Sequence, residues 1–313
     1  VVSEPRTRFA VVGDTSWDVV VLQDRLGLVG GGDSPARITA GPGGQGANVA
    51  VRLARRGAAV RLVTSVGSDA IGQLLEAALE ADGIEIVNLG GARSSQVVSL
   101  VDADSERAMV SDRVPLNLAG DGTAHAGAGL AAATWIHVSG YPLADPGSGT
   151  QLAKLAAARA PEQRCSLGGG SFTPGSTVEP IIRLARPDLL LFDRAEAANV
   201  LGLGPSDVPS AEILATALVA AYGATAIVTD GPGGAAAATG SGTLHVPGRR
   251  LDAIDSTGSG DAHAAAVLWA LAPGPWPPSL EVFGGALAAA GPIGGEVAGV
   301  VGAQARIPSE SVR

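Results

Sequence analysis

A single cysteine, Cys165, in a chain of 313 residues excludes an intramolecular disulfide and a cysteine metal cluster. Lysine is as scarce, with Lys154 the only one, so nearly all positive charge is carried by arginine. No basic run relieves a formal net charge of −9, which makes nucleic acid and anionic membranes poor partners. Aromatic residues are 3% of the chain, so the core has to be built from Ala, Val, Leu and Ile. There is no G-X-Y period and no internal repeat. The most apolar late stretch, residues 284–301, is interrupted by Pro292, Glu296 and several glycines, which argues against a membrane span. Residues 1–10 lack the apolar centre of a signal peptide, and a cytoplasmic setting is expected. A P-loop and a G-x-S-x-G nucleophile elbow are both missing. The four histidines, His125, His137, His245 and His263, do not have metal-ligand spacing, and only His263 lies beside a chemical motif.

What remains is a globular composition, 46% apolar and 16% charged, with 45 glycines available for turns and close backbone approaches. Short apolar runs at 9–12, 60–64, 84–87, 136–139, 189–192 and 226–229 predict buried strands. Helical spacing lies between them, at 47–56 (with Gly57 as its stop), 72–82 (with Leu74, Leu75, Ala78 and Leu79 inside) and 262–271. This alternation predicts right-handed βαβ units and a mostly parallel sheet covered on both faces. Residues 19–22 and 36–40 read as extended, and 30–34 as a glycine-rich turn. Residues 96–101 and 107–111 read as a hairpin around 102–105, whose polar arms place it outside the main sheet. No linker divides the chain, so one domain over 1–313 is expected. In such sheets ligands sit beyond the carboxyl ends of the strands. Six glycine-rich or acidic clusters follow predicted strands: 13–18, 41–48, 140–141, 193–196, 229–234 and 255–261.

Asp255-Ser-Thr-Gly-Ser-Gly-Asp261 stands directly before a helix. Small residues there let an anion approach helix-start amides that have no internal acceptor. An aspartate in that position repels phosphate but suits a general base that accepts a hydroxyl proton. The same residue would equally suit a plain helix cap. Gly41, Gly43 and Gly46 satisfy G-x-G-x-x-G, with Asp69 at the distance of a ribose-binding acid. A nicotinamide-dependent oxidoreductase therefore stays open, beside a Gly-Gly turn that places Asn48 against a polyhydroxy ligand.

Taken together, the two segments resemble the paired signatures of the ribokinase-like, or PfkB, carbohydrate kinase family. Residues 43–48, continuing to 67–72, resemble the first signature and 255–261 the second, in the family's order and separation. Residues 13–18 resemble its first substrate loop, Asp193-Arg-Ala-Glu196 its N-x-x-E magnesium motif, and 229–234 its T-x-G-x-x-G nucleotide loop. The resemblance implies a three-layer α/β/α fold with a mostly parallel central sheet and a small β lid from segments near 15–42 and 95–115. It implies an ATP-dependent kinase that phosphorylates a hydroxyl of a sugar or sugar-like compound, nucleosides included. Asp261 would be the base and Gly258, Ser259 and Gly260 the anion hole. Ser16, Asp18, Gly44, Gln45 and Asn48 would hold the acceptor. Asp193 and Glu196 would serve the nucleotide's Mg2+, with Glu196 the metal-organising acid. Thr229, Gly231 and Gly234 would line the ATP site, and carbonyls of Asp255 and Thr257 a K+ site. A homodimer stays open. The chain departs from the pattern at Asp193 (for Asn), Gln45 (for Lys) and His263 (for Phe), and 168–174 lacks the acid that usually follows that strand. These departures leave open a catalytically weak, sugar-binding member of the same fold.

Overall fold

The computed structural model describes residues 8–25, 32–102, 107–170, 172, 178–204, 206, 208–251 and 253–310. In chain order the first half contains β1 (Arg8–Val12), β2 (Ser16–Leu22), β3 (Arg37–Gly43), α1 (Gln45–Arg55), β4 (Ala59–Thr64), α2 (Ala70–Ala81), β5 (Glu85–Asn88), β6 (Ser95–Val101), β7 (Arg107–Asp112), α3 (Gly122–Leu130) and β8 (Trp135–Val138). The second half contains α4 (Gly140–Ala144), α5 (Gly149–Ala157), β9 (Arg164–Gly168), α6 (Val178–Ala185), β10 (Leu189–Asp193), α7 (Arg194–Val200), α8 (Ala211–Tyr222), β11 (Thr225–Thr229), β12 (Ala235–Thr239), β13 (Gly242–Val246), α9 (Ser259–Leu271) and α10 (Leu280–Ala298).

Nine strands form one sheet in the order β13-β12-β11-β10-β9-β8-β1-β4-β5. From β11 to β5 every pairing is parallel, while β12 runs antiparallel to both of its neighbours. Helices cover both faces, so successive residues of one strand enter different cores. Phe9, Val11, Leu189 and Leu191 join the cluster that holds Val49 and Leu53 of α1, Leu268 of α9 and Phe283 of α10. Ala10, Val12, Leu190 and Phe192 join the cluster that holds Leu152 of α5, Ile182 of α6 and Leu214 of α8. Burial on both faces is why these strands read as continuous apolar runs. Cys165 is buried in β9, and desolvation pushes its thiol up to about 12, which leaves it unreactive.

A second sheet, ordered β3-β2-β6-β7, stands apart from the first. It pairs β2 with β3 and β6 with β7 antiparallel and joins β2 to β6 in parallel. The hairpin predicted outside the main sheet is its β6–β7 pair. Its turn at 103–106 and residues 30–31 of the glycine-rich turn lie outside the described residues.

Several expectations need correction. Leu74 is 53% exposed on α2 and only Leu75 and Leu79 of the four are buried, because the helix presents a narrower face than its apolar spacing suggests. The β12–β13 hairpin was not anticipated: residues 235–238 are all alanine and carry no alternation to read. Pro292 interrupts the apolar run without ending the helix, since it lies inside α10. No described helix is long and apolar enough to cross a membrane. The dinucleotide reading fails, since Gly41 and Gly43 belong to β3 of the small sheet rather than to a turn after β1. Asp69, its supposed ribose acid, caps α2 by accepting from the Gly72 amide, and it also binds the Ser94 amide and hydroxyl.

Candidate active site

The carboxyl ends of the parallel strands, the start of α9 and the small sheet enclose a cavity of about 310 Å3. Ser16, Asp18, Gly44, Gln45, Asn48, Asp193, Glu196, Thr229, Thr257, Gly258, Gly260 and Asp261 all line it. Residues spread over the chain thus converge at the ends of the parallel strands, on the small sheet that covers them and at the starts of α1, α7 and α9. Gly231 and Gly234 do not line the cavity. They flank the short turn that joins β11 to β12, at the same sheet end.

Asp261 is in the first turn of α9, whose opening amides have no intrahelical acceptor. Gly258 caps the helix in the left-handed region at φ 78, and a Cβ there would lie 2.7 Å from the Ala303 side chain, so only glycine fits. Ser259 is occupied differently from expectation. Its amide donates to Ser256 O at 3.2 Å and its hydroxyl to Gly294 O at 2.9 Å, while Gly258 and Gly260 face the cavity. Asp255 is buried, and its two carboxylate oxygens accept from the Thr257 and Gly302 amides, which braces the loop.

Burial raises the Asp261 carboxyl to about 7. The amide of Asn48 donates to Asp261 Oδ2 at 2.7 Å and partly offsets this, as does Arg52, while Asp14 and Asp18 add to the rise. Asn48 was expected on the acceptor; the structure joins it to the acid. Gln45 was expected there too, and its Oε1 instead accepts from the Gly140 amide at 2.9 Å while the residue still lines the cavity. Burial also lifts Asp18 to about 6, against the Ser16 hydroxyl, which donates to it at 2.6 Å. His263 lines the same wall, and desolvation depresses it to about 4, so it is neutral near pH 7.

Asp193 and Glu196 form a capping box at the start of α7. The Asp193 carboxylate accepts from the Glu196 amide at 2.7 Å, and Glu196 Oε2 accepts from the Asp193 amide at 2.8 Å. Asp193 is therefore the cap rather than a member of the first turn, and the two acids are locked together. Burial and then the Asp193 charge raise Glu196 to about 8. A Cβ at Gly169 would overlap the Glu196 carboxylate, so the run of glycines after β9 makes room for this acid.

Sequence reasoning missed Arg107 and Arg113, and it marked the clusters of Asp14 and Tyr141 without giving either residue a role. Asp14 pairs with Arg113 at 2.7 Å, and that guanidinium lies over the Tyr141 ring at 3.6 Å. Arg107 of β7 donates to Thr257 Oγ1 at 3.0 Å and so ties the small sheet to the loop before α9. Arg107 and Arg113 fall in or beside an exposed strand with no motif, and nothing in the sequence flags them.

Asp261 holds its proton more tightly folded than unfolded, so its contribution to stability falls as pH rises from about 4 to about 7. Thermal melts of the ligand-free protein should show Tm declining over that interval, and Asp261→Asn should flatten the decline. Parallel curves for the two proteins would contradict this assignment.

Comparison with known proteins agrees with the geometry. A sequence profile described as pfkB family carbohydrate kinase matches residues 6–302. A fructokinase of Klebsiella pneumoniae is 30% identical over 292 residues, 88% of this chain and 92% of that protein. The ribokinase structure from Giardia lamblia superposes with a TM-score of 0.83 at 17% identity, covering 97% of this chain and 98% of the other. A fructokinase of Vibrio cholerae O395 with fructose, ADP and calcium bound superposes at 0.73 with 21% identity, over 96% and 95% of the two chains.

Proposed function

The chain belongs to the pfkB family of carbohydrate kinases, and from that premise we propose that it moves the γ-phosphoryl group of ATP to a hydroxyl of a small sugar, with Asp261 as general base and fructose the first acceptor to test. The observation that carries this reading is Asp261 itself: a carboxylate at a helix start, inside the cavity, with a pKa near 7. A base poised near the working pH combines availability with driving force for taking the hydroxyl proton.

Around it the division of labour follows from charge. Asp18 and the Ser16 oxygen accept hydrogen bonds from the sugar hydroxyls, the Ser16 proton being given to Asp18, and Gly44 lets the acceptor approach the backbone. Val97 and Met109 of the small sheet line the cavity above as an apolar cover. Closing that sheet as a lid excludes water and limits ATP hydrolysis. Amides at Gly258 and Gly260 face the transferred group, where their fixed dipoles offset developing negative charge. Thr229, Gly231 and Gly234 border the nucleotide.

Among the described residues no cluster of three His, Cys, Asp or Glu could cage a metal. That suits magnesium, which usually keeps its waters and takes one or two carboxylates plus the phosphates. Glu196, with Asp193 behind it, would hold it, and the bound ion would neutralise phosphate charge. Both carboxylate oxygens of Asp255 are already used by amides, so a monovalent cation such as potassium would meet main-chain carbonyls of Asp255 and Thr257.

The direct test is ATP consumption against fructose, other hexoses, pentoses and nucleosides. Turnover with a sugar supports the reading; binding of sugar without turnover would identify a ligand-binding member of the family instead. Asp18→Ala should weaken acceptor binding by roughly 1.5–3 kcal/mol, the value of a hydrogen bond to a charged group, and leave ATP binding unchanged. Calorimetry showing unchanged sugar affinity and weakened ATP would reverse the two half-sites.

A further inference from the structure

Asn48, Arg52 and Arg55 recur at helical spacing on α1, and all three reach the segment at 303–305. Arg52 donates to the carbonyls of Ala303 and Ala305 at 2.7 and 2.9 Å, and Arg55 to that of Gln304 at 2.9 Å. Three successive carbonyls are thereby fixed to one helix. Fixing the main chain aims the side chain: Gln304, 7% exposed, donates from Nε2 to Asn48 Oδ1 at 3.1 Å. Asn48 in turn donates from Nδ2 to Asp261 Oδ2 at 2.7 Å.

An asparagine amide can turn over, exchanging its oxygen and nitrogen. With Gln304 presenting Nε2, the Asn48 oxygen faces that donor and the nitrogen faces the Asp261 carboxylate, which can only accept. From this geometry we propose that Gln304 is a positioning residue for phosphoryl transfer. It locks the Asn48 amide in the orientation that holds Oδ2 of Asp261 and keeps Oδ1 for the acceptor's proton. The proposal rests on the reading of Asp261 as base. Without the lock, Asn48 can present its oxygen to the carboxylate, which removes a donor and adds repulsion, and both effects favour the protonated, idle acid. The other charged groups near Asp261 are Asp14 and Asp18 from the β1–β2 region, Arg52 from α1 and Glu196 from α7. Arg113 is committed to Asp14, Arg107 reaches Thr257, and His263 on Asp261's own helix is neutral above about 4. None of these changes in Gln304→Met, which isolates the amide, whereas Gln304→Glu also adds a negative charge of its own.

Two variants of the full chain test this. Gln304→Met keeps the shape and deletes the donor. Gln304→Glu places an acceptor there, which recruits the Asn48 nitrogen and turns its oxygen toward Asp261. The pH profile of kcat/KM should shift its acid limb upward by about one unit in Gln304→Met and further in Gln304→Glu. That shift is about a tenfold loss on the acid limb, with Gln304→Met recovering to near the parent rate at alkaline pH. Carbon NMR of the Asp261 carboxyl should show the same upward displacement without any turnover. An NMR titration unmoved in both folded variants would overturn the positioning role. If the NMR titration moves while the rate profile stays in place, Gln304 does orient Asn48 but Asp261 is not the base, so the two readings fail separately.

Discussion

Asp261→Asn should lower kcat by about 10²–10⁴-fold, the usual cost of removing a general base, and leave the fold intact. Asparagine has the same size and its carbonyl oxygen can still accept the Asn48 amide, so the contact at 2.7 Å survives in neutral form. It cannot take a proton from the acceptor. KM for the sugar should change little, because Ser16 and Asp18 sit apart from the substitution on β2. The raised pKa of Asp261 means that ionising it costs the native state free energy, so the variant should melt no lower than the parent above pH 7. Steady-state kinetics with a melting curve decide the matter. A turnover within a fewfold of the parent would remove Asp261 from the base role, and a collapsed melting curve would mean that the acid is structural.

The largest stability loss is expected at Arg52, a residue that does not line the cavity. Its side chain is 1% exposed and pairs with Glu310, itself 3% exposed, at 2.7 Å. Removing one partner of a buried pair leaves the other charge uncompensated, which costs about 3–5 kcal/mol. Arg55 stays near Glu310 at 3.2 Å and places Arg52→Leu toward the lower end. The Ala303 and Ala305 carbonyls lose their donor at the same time. A chain of this size should then melt on the order of 10 °C lower. Arg52→Lys, which keeps the charge but cannot span three acceptors, should fall between. A melting temperature within about 2 °C of the parent in Arg52→Leu would show that the pair is offset by its own desolvation.

The parallel sheet was legible because strands buried on both faces leave unbroken apolar runs such as 189–192, and glycine or acidic clusters mark where they end. The β12–β13 hairpin was not, because four alanines in a row fit a strand or a helix equally well. At the site, residue type singled out Asp261, Asp18 and Glu196, which all line the cavity. It did not reveal what each would touch. Asn48 read as a sugar ligand because its partner Asp261 is 213 positions away, and Gln304 carried no signal at all until it stood beside Asn48. The capping box at Asp193 could have been found: an acid followed three residues later by glutamate at a helix start is its sequence form. Reading the pair for its metal chemistry obscured that simpler arrangement.

The spacing of the Asp261 cluster also bears on when, in the life of one molecule, this part of the cavity is assembled. Asn48 lies 213 residues before Asp261 and 256 before Gln304, so joining them closes some of the longest loops this chain contains. Contacts of such range reward the chain only after the intervening strands and helices are in register. A nascent or partly refolded molecule can therefore hold most of its secondary structure and still lack the contacts that join Asn48, Asp261 and Gln304. With Asp261 as base, activity on refolding should return with the closure of these contacts rather than in proportion to regained secondary structure.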